Sequence, residues 1–154
     1  MVRPTLGPTP RDITNQTVSL LGGAKTLGVK PRHSRDWVCL IRKGFPPSSL
    51  DSLGLNVGVT NADLAQVLGI SVRALATRRR KMVLSPYESE RLLRLARVVA
   101  RSDEVFGDLG EGVVWLKSPN AAQDGATPWS LLDTYVGFDC VMEMLGRIEH
   151  GVFA

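Results

Sequence analysis

The segment LAQVLGIS at residues 64–71 constrains the fold of this chain more than any other part of its sequence. Within it, Ala65 is small enough to let a second helix approach closely, and Gly69 can adopt a left-handed backbone at a turn without a Cβ clash. Ile70 and Leu75 then supply apolar side chains that can bury between the two helices. This spacing predicts a helix-turn-helix, a motif whose second helix can enter the major groove of DNA.

The second helix of this motif is predicted to begin with Ser71 as its N-cap and to end in the basic run RRRK at residues 78–81. Helical spacing predicts that Val72, Leu75 and Ala76 face inward, which leaves the basic side chains facing outward. Outward side chains near the start of such a helix reach base edges, and later ones hold phosphates. The residues predicted to contact DNA are Ser71, Arg73, Ala74, Thr77, Arg78, Arg80 and Lys81. The alternative is a helical hairpin that packs but binds nothing, with the arginine run as a solvated face.

Basic and acidic residues are separated along the chain. Residues 1–101 carry 17 Lys and Arg against 6 Asp and Glu, whereas residues 102–154 carry 2 against 9. The net charge of +4 therefore divides into +11 and −7. A basic first two thirds suits a polyanion such as DNA, and the acidic last third suits a different partner. Chance clustering of solvated charge is the alternative explanation.

Helix caps and apolar stripes predict an all-α fold. A capping box with proline, Ser85-Pro86-Tyr87-Glu88, predicts the start of a long helix that runs to residue 106. Another short helix is expected after Pro46-Pro47, closed by Gly54. Further helices are predicted at residues 36–43, 111–117, 128–132 and 135–149. The first 35 residues, which are rich in proline and glycine, are expected to be largely disordered or loosely structured.

Composition argues against a membrane protein and against a secreted one. No apolar run approaches the roughly 18 residues that a membrane span requires, and the N-terminus lacks the apolar core of a secretory signal. The two cysteines, Cys39 and Cys140, cannot form a disulfide framework and are expected to be reduced thiols. The sequence therefore predicts a cytoplasmic protein.

The sequence contains no catalytic or cofactor-binding motif. There is no glycine-rich phosphate loop and no metal-ligand spacing. His33 lies in a basic segment, and the position of His150 is explained by the favourable dipole at a helix end. We therefore predict that the chain is not an enzyme and needs no cofactor or metal.

Five segments, in this order and spacing, resemble the antitoxins called Xre, ParS or MbcA. The segments are LAQVLGISVRAL, LSPYESERLLRLARVVARSDEVFG, WLKSPN, TPWSLLDTYVG and VMEMLGRIEHGVFA. The resemblance implies a Xre-like helix-turn-helix domain at residues 36–100 and a small helical toxin-binding domain at residues 101–154. It covers the last 90 or so residues well and the N-terminal third only loosely.

The resemblance also implies a function in two parts. Such antitoxins bind a toxin, commonly a RES-domain enzyme that degrades NAD⁺, and repress their own operon through the helix-turn-helix. A homodimer is expected independently, because a single recognition helix usually needs a symmetric partner for useful affinity. Their C-terminal end reaches into the active site of the toxin. Carried over to this chain, the toxin-binding residues are Trp115, Glu149, His150, Gly151, Val152, Phe153 and Ala154.

An exposed Phe153 near a chain end is able to anchor in a pocket of a partner. The alternative is that Phe153 folds back on its own domain. For the whole chain, the alternative is a stand-alone repressor whose C-terminal domain senses a ligand or a partner other than a toxin.

Overall fold

The structure is a computed structural model that describes residues 10–151 and the side chains of residues 13–151. Across this part of the chain every element is helical and no strand occurs, which confirms the all-α prediction. The α-helices are α1 (Pro10–Leu20), α2 (Gly23–Leu27), α3 (Ser34–Lys43), α4 (Ser48–Val57), α5 (Asn61–Leu68), α6 (Val72–Arg78), α7 (Pro86–Phe106), α8 (Leu109–Leu116) and α9 (Tyr135–Glu149). Two short 3-10 helices, Ala121–Gln123 and Pro128–Leu131, lie between α8 and α9.

The 21-residue helix α7 lies at the centre of the fold. It starts as predicted, because the Ser85 hydroxyl accepts from the backbone N–H of Glu88 at 3.1 Å while the Glu88 carboxylate accepts from that of Ser85 at 3.0 Å. Helices α1, α3, α5, α8 and α9 all pack against it. The predicted domain division between residues 100 and 101 falls inside α7, so the two regions share one continuous helix and one hydrophobic core.

The N-terminal region is more ordered than its composition suggested. Helix α1 packs against α7, and its Val18 and Leu20 are buried. The side-chain amide of Gln16 donates to the Asp103 carboxylate at 3.0 Å. The expectation of a loosely structured segment is therefore wrong from residue 10 onward, because contacts with a distant helix stabilise α1. Residues 1–9 lie outside the described part.

Helix α4 continues past the residue that was expected to close it. Gly54 lies inside the helix, and Gly58, with φ of 74°, ends it. A Cβ at Gly54 would lie 3.4 Å from Leu64, a side chain of α5. The glycine therefore serves close packing between α4 and the first helix of the predicted motif, and the helix end falls one turn later.

Candidate nucleic-acid interface

Helices α5 and α6 form the predicted helix-turn-helix. Thr60 caps α5 together with Asp63, and Gly69 turns the chain with φ of 68°. The hydroxyl of Ser71 accepts from the backbone N–H of Ala74 at 3.0 Å and so caps α6. The two helices are joined by three residues, as the spacing of the sequence predicted.

The inward face of α6 is narrower than predicted. Leu75 is fully buried, but Val72 is 49% exposed and Ala76 is exposed as well. Successive residues are about 100° apart around a helix, which places Val72 and Ala76 at about 60° and 100° from Leu75. Leu75 is the buried residue of this seven-residue helix, and Val72 and Ala76 lie at the edge of its buried face. The prediction that these two residues face inward was therefore wrong.

The basic run divides into two pairs. Helix α6 ends at Arg78. The Arg78 guanidinium lies 2.5 Å from the Glu88 carboxylate, and Arg79 bonds Asp51 at 2.9 Å and the Asn61 side chain at 2.7 Å. These two arginines connect the end of α6 to α4, to α5 and to the start of α7. Arg78 was predicted to contact DNA, but here its side chain has an intramolecular partner.

The second pair of the basic run, together with Arg73 of α6, is available to a binding partner. Arg73, Arg80 and Lys81 are exposed, and among residues 13–151 no carboxylate lies within ion-pair distance of them. Thr77 is also exposed, and its hydroxyl donates to the backbone carbonyl of Arg73 at 3.3 Å. Ala74 is half-buried. Of the predicted contacts, these three cations are therefore the side chains best placed to meet phosphates or bases.

Glu88 is buried, and its pKa is shifted in opposite directions by burial and by hydrogen bonds. Burial alone raises the pKa, but hydrogen bonds from the Ser85 backbone and the Arg78 guanidinium outweigh it and hold the pKa of Glu88 below its ordinary value. A carboxylate with a lowered pKa in the folded chain stabilises the fold above its unfolded pKa, and this stabilisation is lost as the pH falls through the folded value.

We therefore expect the urea midpoint to fall between about pH 6 and about pH 3, and to fall less in Glu88→Gln, because the glutamine takes up no proton. Glu90→Gln removes an exposed glutamate of the same helix and serves as the matched control for loss of a charge. An equal pH dependence in wild type and Glu88→Gln would contradict the lowered pKa of Glu88 in the folded chain.

The region after α7 packs against the first helix of the motif. Trp129 is 2% exposed, and its indole N–H donates to the backbone carbonyl of Asp63 at 3.2 Å. The Lys117 ammonium lies 2.7 Å from the Asp63 carboxylate. Trp115 is half-buried and packs on Phe106, with ring centroids 5.8 Å apart. Much of the Trp115 surface is therefore already used within the chain.

The predicted C-terminal contacts begin at Glu149, the last residue of α9. The Glu149 carboxylate pairs with Arg101, whose hydrogen bond lowers the pKa of Glu149. His150 is exposed, with its imidazole 3.9 Å from that carboxylate, and Gly151 is exposed with φ of 68°. The predicted contacts Val152, Phe153 and Ala154 lie outside the described residues. A toxin that bound the Glu149 carboxylate would therefore have to compete with Arg101 for it.

Three exposed apolar side chains in this region were missed by the sequence analysis. Val114, Tyr135 and Val136 are 67%, 62% and 72% exposed. The Tyr135 ring stacks on Phe138, with centroids 6.3 Å apart, and the Arg94 guanidinium lies 5.9 Å from its centroid. Val136 and Val114 depart from the apolar stripes of their helices, which is the signal that could have identified them.

The part of the chain that the structure describes holds no group of three or more His, Cys, Asp or Glu side chains able to bind a metal ion. No helix within it is both long and apolar enough to cross a membrane.

Two family models match consecutive parts of the chain. Residues 36–97 match the antitoxin Xre-like helix-turn-helix domain. Residues 101–151 match the antitoxin Xre/MbcA/ParS C-terminal toxin-binding domain. The two matches meet inside α7 and together include both the motif and the acidic C-terminal region.

Individual relatives agree with these models. A protein of Yersinia enterocolitica named Antitoxin Xre is 35% identical over 132 residues, covering 84% of this chain and 89% of the relative. Another Antitoxin Xre, from Pseudomonas putida, is 35% identical over 112 residues, covering 72% of this chain and 69% of the relative. A protein of Sphingobium named Prs ADP-ribosylating antitoxin is 28% identical over 129 residues, covering 77% and 81%.

Proposed function

Since this chain belongs to the Xre/MbcA/ParS family of antitoxins, we propose that it inhibits a partner toxin and represses the operon that encodes both proteins. The observation that carries the proposal is the coexistence of two surfaces of different chemistry. One is the exposed cationic face of α6, and the other is the acidic C-terminal region with its exposed apolar residues. The two surfaces suit two partners rather than one.

The proposed operator contact is made by α6. Arg73 lies in its first turn and is a candidate for a bidentate contact with guanine, whereas Arg80 and Lys81 follow the helix and suit phosphates. A single helix of seven residues offers little contact area. We therefore propose a homodimer that places two copies of α6 in successive major grooves. Operator binding would place the protein in the cytoplasm.

The proposed toxin contact is made by the C-terminal end. The toxin is proposed to be a RES-domain enzyme that consumes NAD⁺, with the residues from Glu149 to the end of the chain covering its active site. The name of the Sphingobium relative refers to ADP-ribosylation, a reaction in which NAD⁺ is the usual donor, and this supports a partner that uses NAD⁺. The exposed pair Tyr135 and Val136 extends the apolar surface available to such a partner.

Separation of the two activities tests the proposal. Arg73→Ala combined with Thr77→Ala should weaken operator binding by about 10- to 100-fold, because the single bidentate base contact proposed for Arg73 contributes about 1–3 kcal/mol. Toxin neutralisation should stay intact, because neither residue lies in the C-terminal region. Fluorescence anisotropy with the DNA preceding the gene measures the first activity, and rescue of toxin-expressing cells measures the second.

Arg42→Ala, which removes an exposed cation of α3, is the matched control and should leave both activities near the wild-type level. Equal loss of operator binding and neutralisation in a folded Arg73/Thr77 variant would contradict the assignment of two separate surfaces.

A further inference from the structure

Two apolar side chains are exposed on α6, between its buried residue Leu75 and the outward-facing Arg73. Val72 is 49% exposed, and Ala76, one helical turn later, is also exposed. Residues four apart lie above one another on a helix, so the two form one apolar strip. Helix propensity does not explain a valine at an exposed position, because β-branched residues are poorer helix formers than alanine or arginine.

Three cations lie close to this strip in the sequence. Arg73 follows Val72 directly in the first turn of α6, and Arg80 and Lys81 come just after the helix ends at Arg78. None of the three cations has an ion-pair partner among residues 13–151. A ligand that covers the strip must therefore combine negative charge with apolar groups. The major groove of DNA does so, since its phosphates flank base edges on which each thymine presents a C5-methyl group.

We propose that Val72 and Ala76 are specificity-determining residues that pack against thymine methyl groups of the operator. The inference rests on the proposed operator binding and adds the bases that are recognised. Contact of an apolar side chain with a thymine methyl discriminates T·A from the other pairs without a hydrogen bond. Each operator half-site therefore contains a thymine where α6 enters the groove, next to the base that Arg73 contacts.

Removal of methyl groups from the protein and from the DNA tests this assignment. In each footprinted half-site, every thymine is replaced in turn by deoxyuridine, which lacks only the methyl group. At one or two positions wild type should lose about fourfold in affinity, the value of one buried methyl group. Val72→Ala should bind the thymine operator more weakly than wild type and should no longer distinguish thymine from deoxyuridine at the position that Val72 contacts.

Two controls identify the source of any effect. Val38→Ala, the same substitution at a site in α3 that is 41% exposed, should behave as wild type on every DNA. Arg80→Ala should weaken binding to all DNAs equally, because a phosphate contact carries no sequence information.

Three outcomes would overturn the inference. Specific binding that is indifferent to every thymine methyl removes the inference but leaves operator binding intact. Absence of specific binding to the upstream DNA removes both. If Val72→Ala instead changes the subunit number measured by sedimentation, while its response to deoxyuridine matches that of wild type, a second copy of the chain covers Val72 and the inference is wrong.

Discussion

Gly137→Ala is expected to destabilise the chain by about 3 kcal/mol or more, a large part of the stability of an ordinary domain. A Cβ built on Gly137 would lie 1.7 Å from the backbone carbonyl oxygen of Leu131 and 2.6 Å from its carbonyl carbon. Both atoms belong to the backbone, so no side-chain rotation can relieve the clash. Helix α9 would have to move away from the 3-10 helix Pro128–Leu131. A lower urea midpoint at an unchanged slope would measure the effect.

Gly146→Ala supplies the matched control in the same helix. A Cβ at Gly146 meets no atom within 4 Å, and its backbone is helical. Alanine should therefore stabilise the fold by about 0.5–1 kcal/mol, since glycine loses more conformational entropy on folding. If both variants shifted the midpoint in the same direction by similar amounts, the close approach of α9 to residue 131 would be contradicted.

Removal of residues 151–154 is expected to abolish toxin neutralisation while operator binding is retained. The buried residues of α9, such as Val141 and Leu145, lie before the cut, so the described core stays complete. The cut removes Phe153 with its neighbours, and loss of an aromatic anchor from the centre of an interface lowers affinity by about 100-fold. Growth rescue and a pull-down of the toxin measure the loss, and anisotropy with operator DNA measures what is retained.

The single variant Phe153→Ala distinguishes the anchor from the rest of the segment. It should reproduce most of the loss, whereas Asp139→Asn, a change at an exposed site on α9, should neutralise as wild type does. A truncated chain that still rescues toxin-expressing cells would rule out the C-terminal end as the inhibitor. In that case the exposed Tyr135 and Val136 become the next candidates.

Features that depend on neighbours in sequence were predicted well. The start of α7 at Pro86 and its end at Phe106 follow from a capping box and from Gly107, all of which act within one turn. The bounds Tyr135–Glu149 of α9 were predicted from apolar residues that recur at helical spacing, which is also a local pattern. The turn of the helix-turn-helix at Gly69 is likewise a local requirement on the backbone.

Features that depend on distant residues were not predicted. Helix α1 is held by α7, and the contact between Gln16 and Asp103 joins residues 87 apart. Arg78 was predicted to contact DNA because the basic run alone does not show that Glu88, ten residues later, lies beside its guanidinium. The exposure of Val72 and Ala76 depends on how closely α6 packs against the rest of the fold. Helical periodicity does not specify this closeness. Tertiary packing thus decided which basic and apolar side chains are available to a partner.

The link between the two regions also became visible only in the structure. Trp129 and Lys117 both contact Asp63, which lies in the first turn of α5. The C-terminal region is therefore in direct contact with the DNA-binding motif. This arrangement supports the proposal that a single chain binds both operator DNA and a toxin.

Co-purification tests whether this one chain binds both DNA and a toxin. A tagged chain co-expressed with the product of the gene beside its own is predicted to form a stoichiometric complex. That complex should bind the DNA preceding the two genes, and the neighbouring product expressed alone should arrest growth. If the tagged chain binds this DNA by itself, while the neighbouring product neither co-purifies nor slows growth, the chain is a stand-alone repressor and the proposed inhibition of a toxin is wrong.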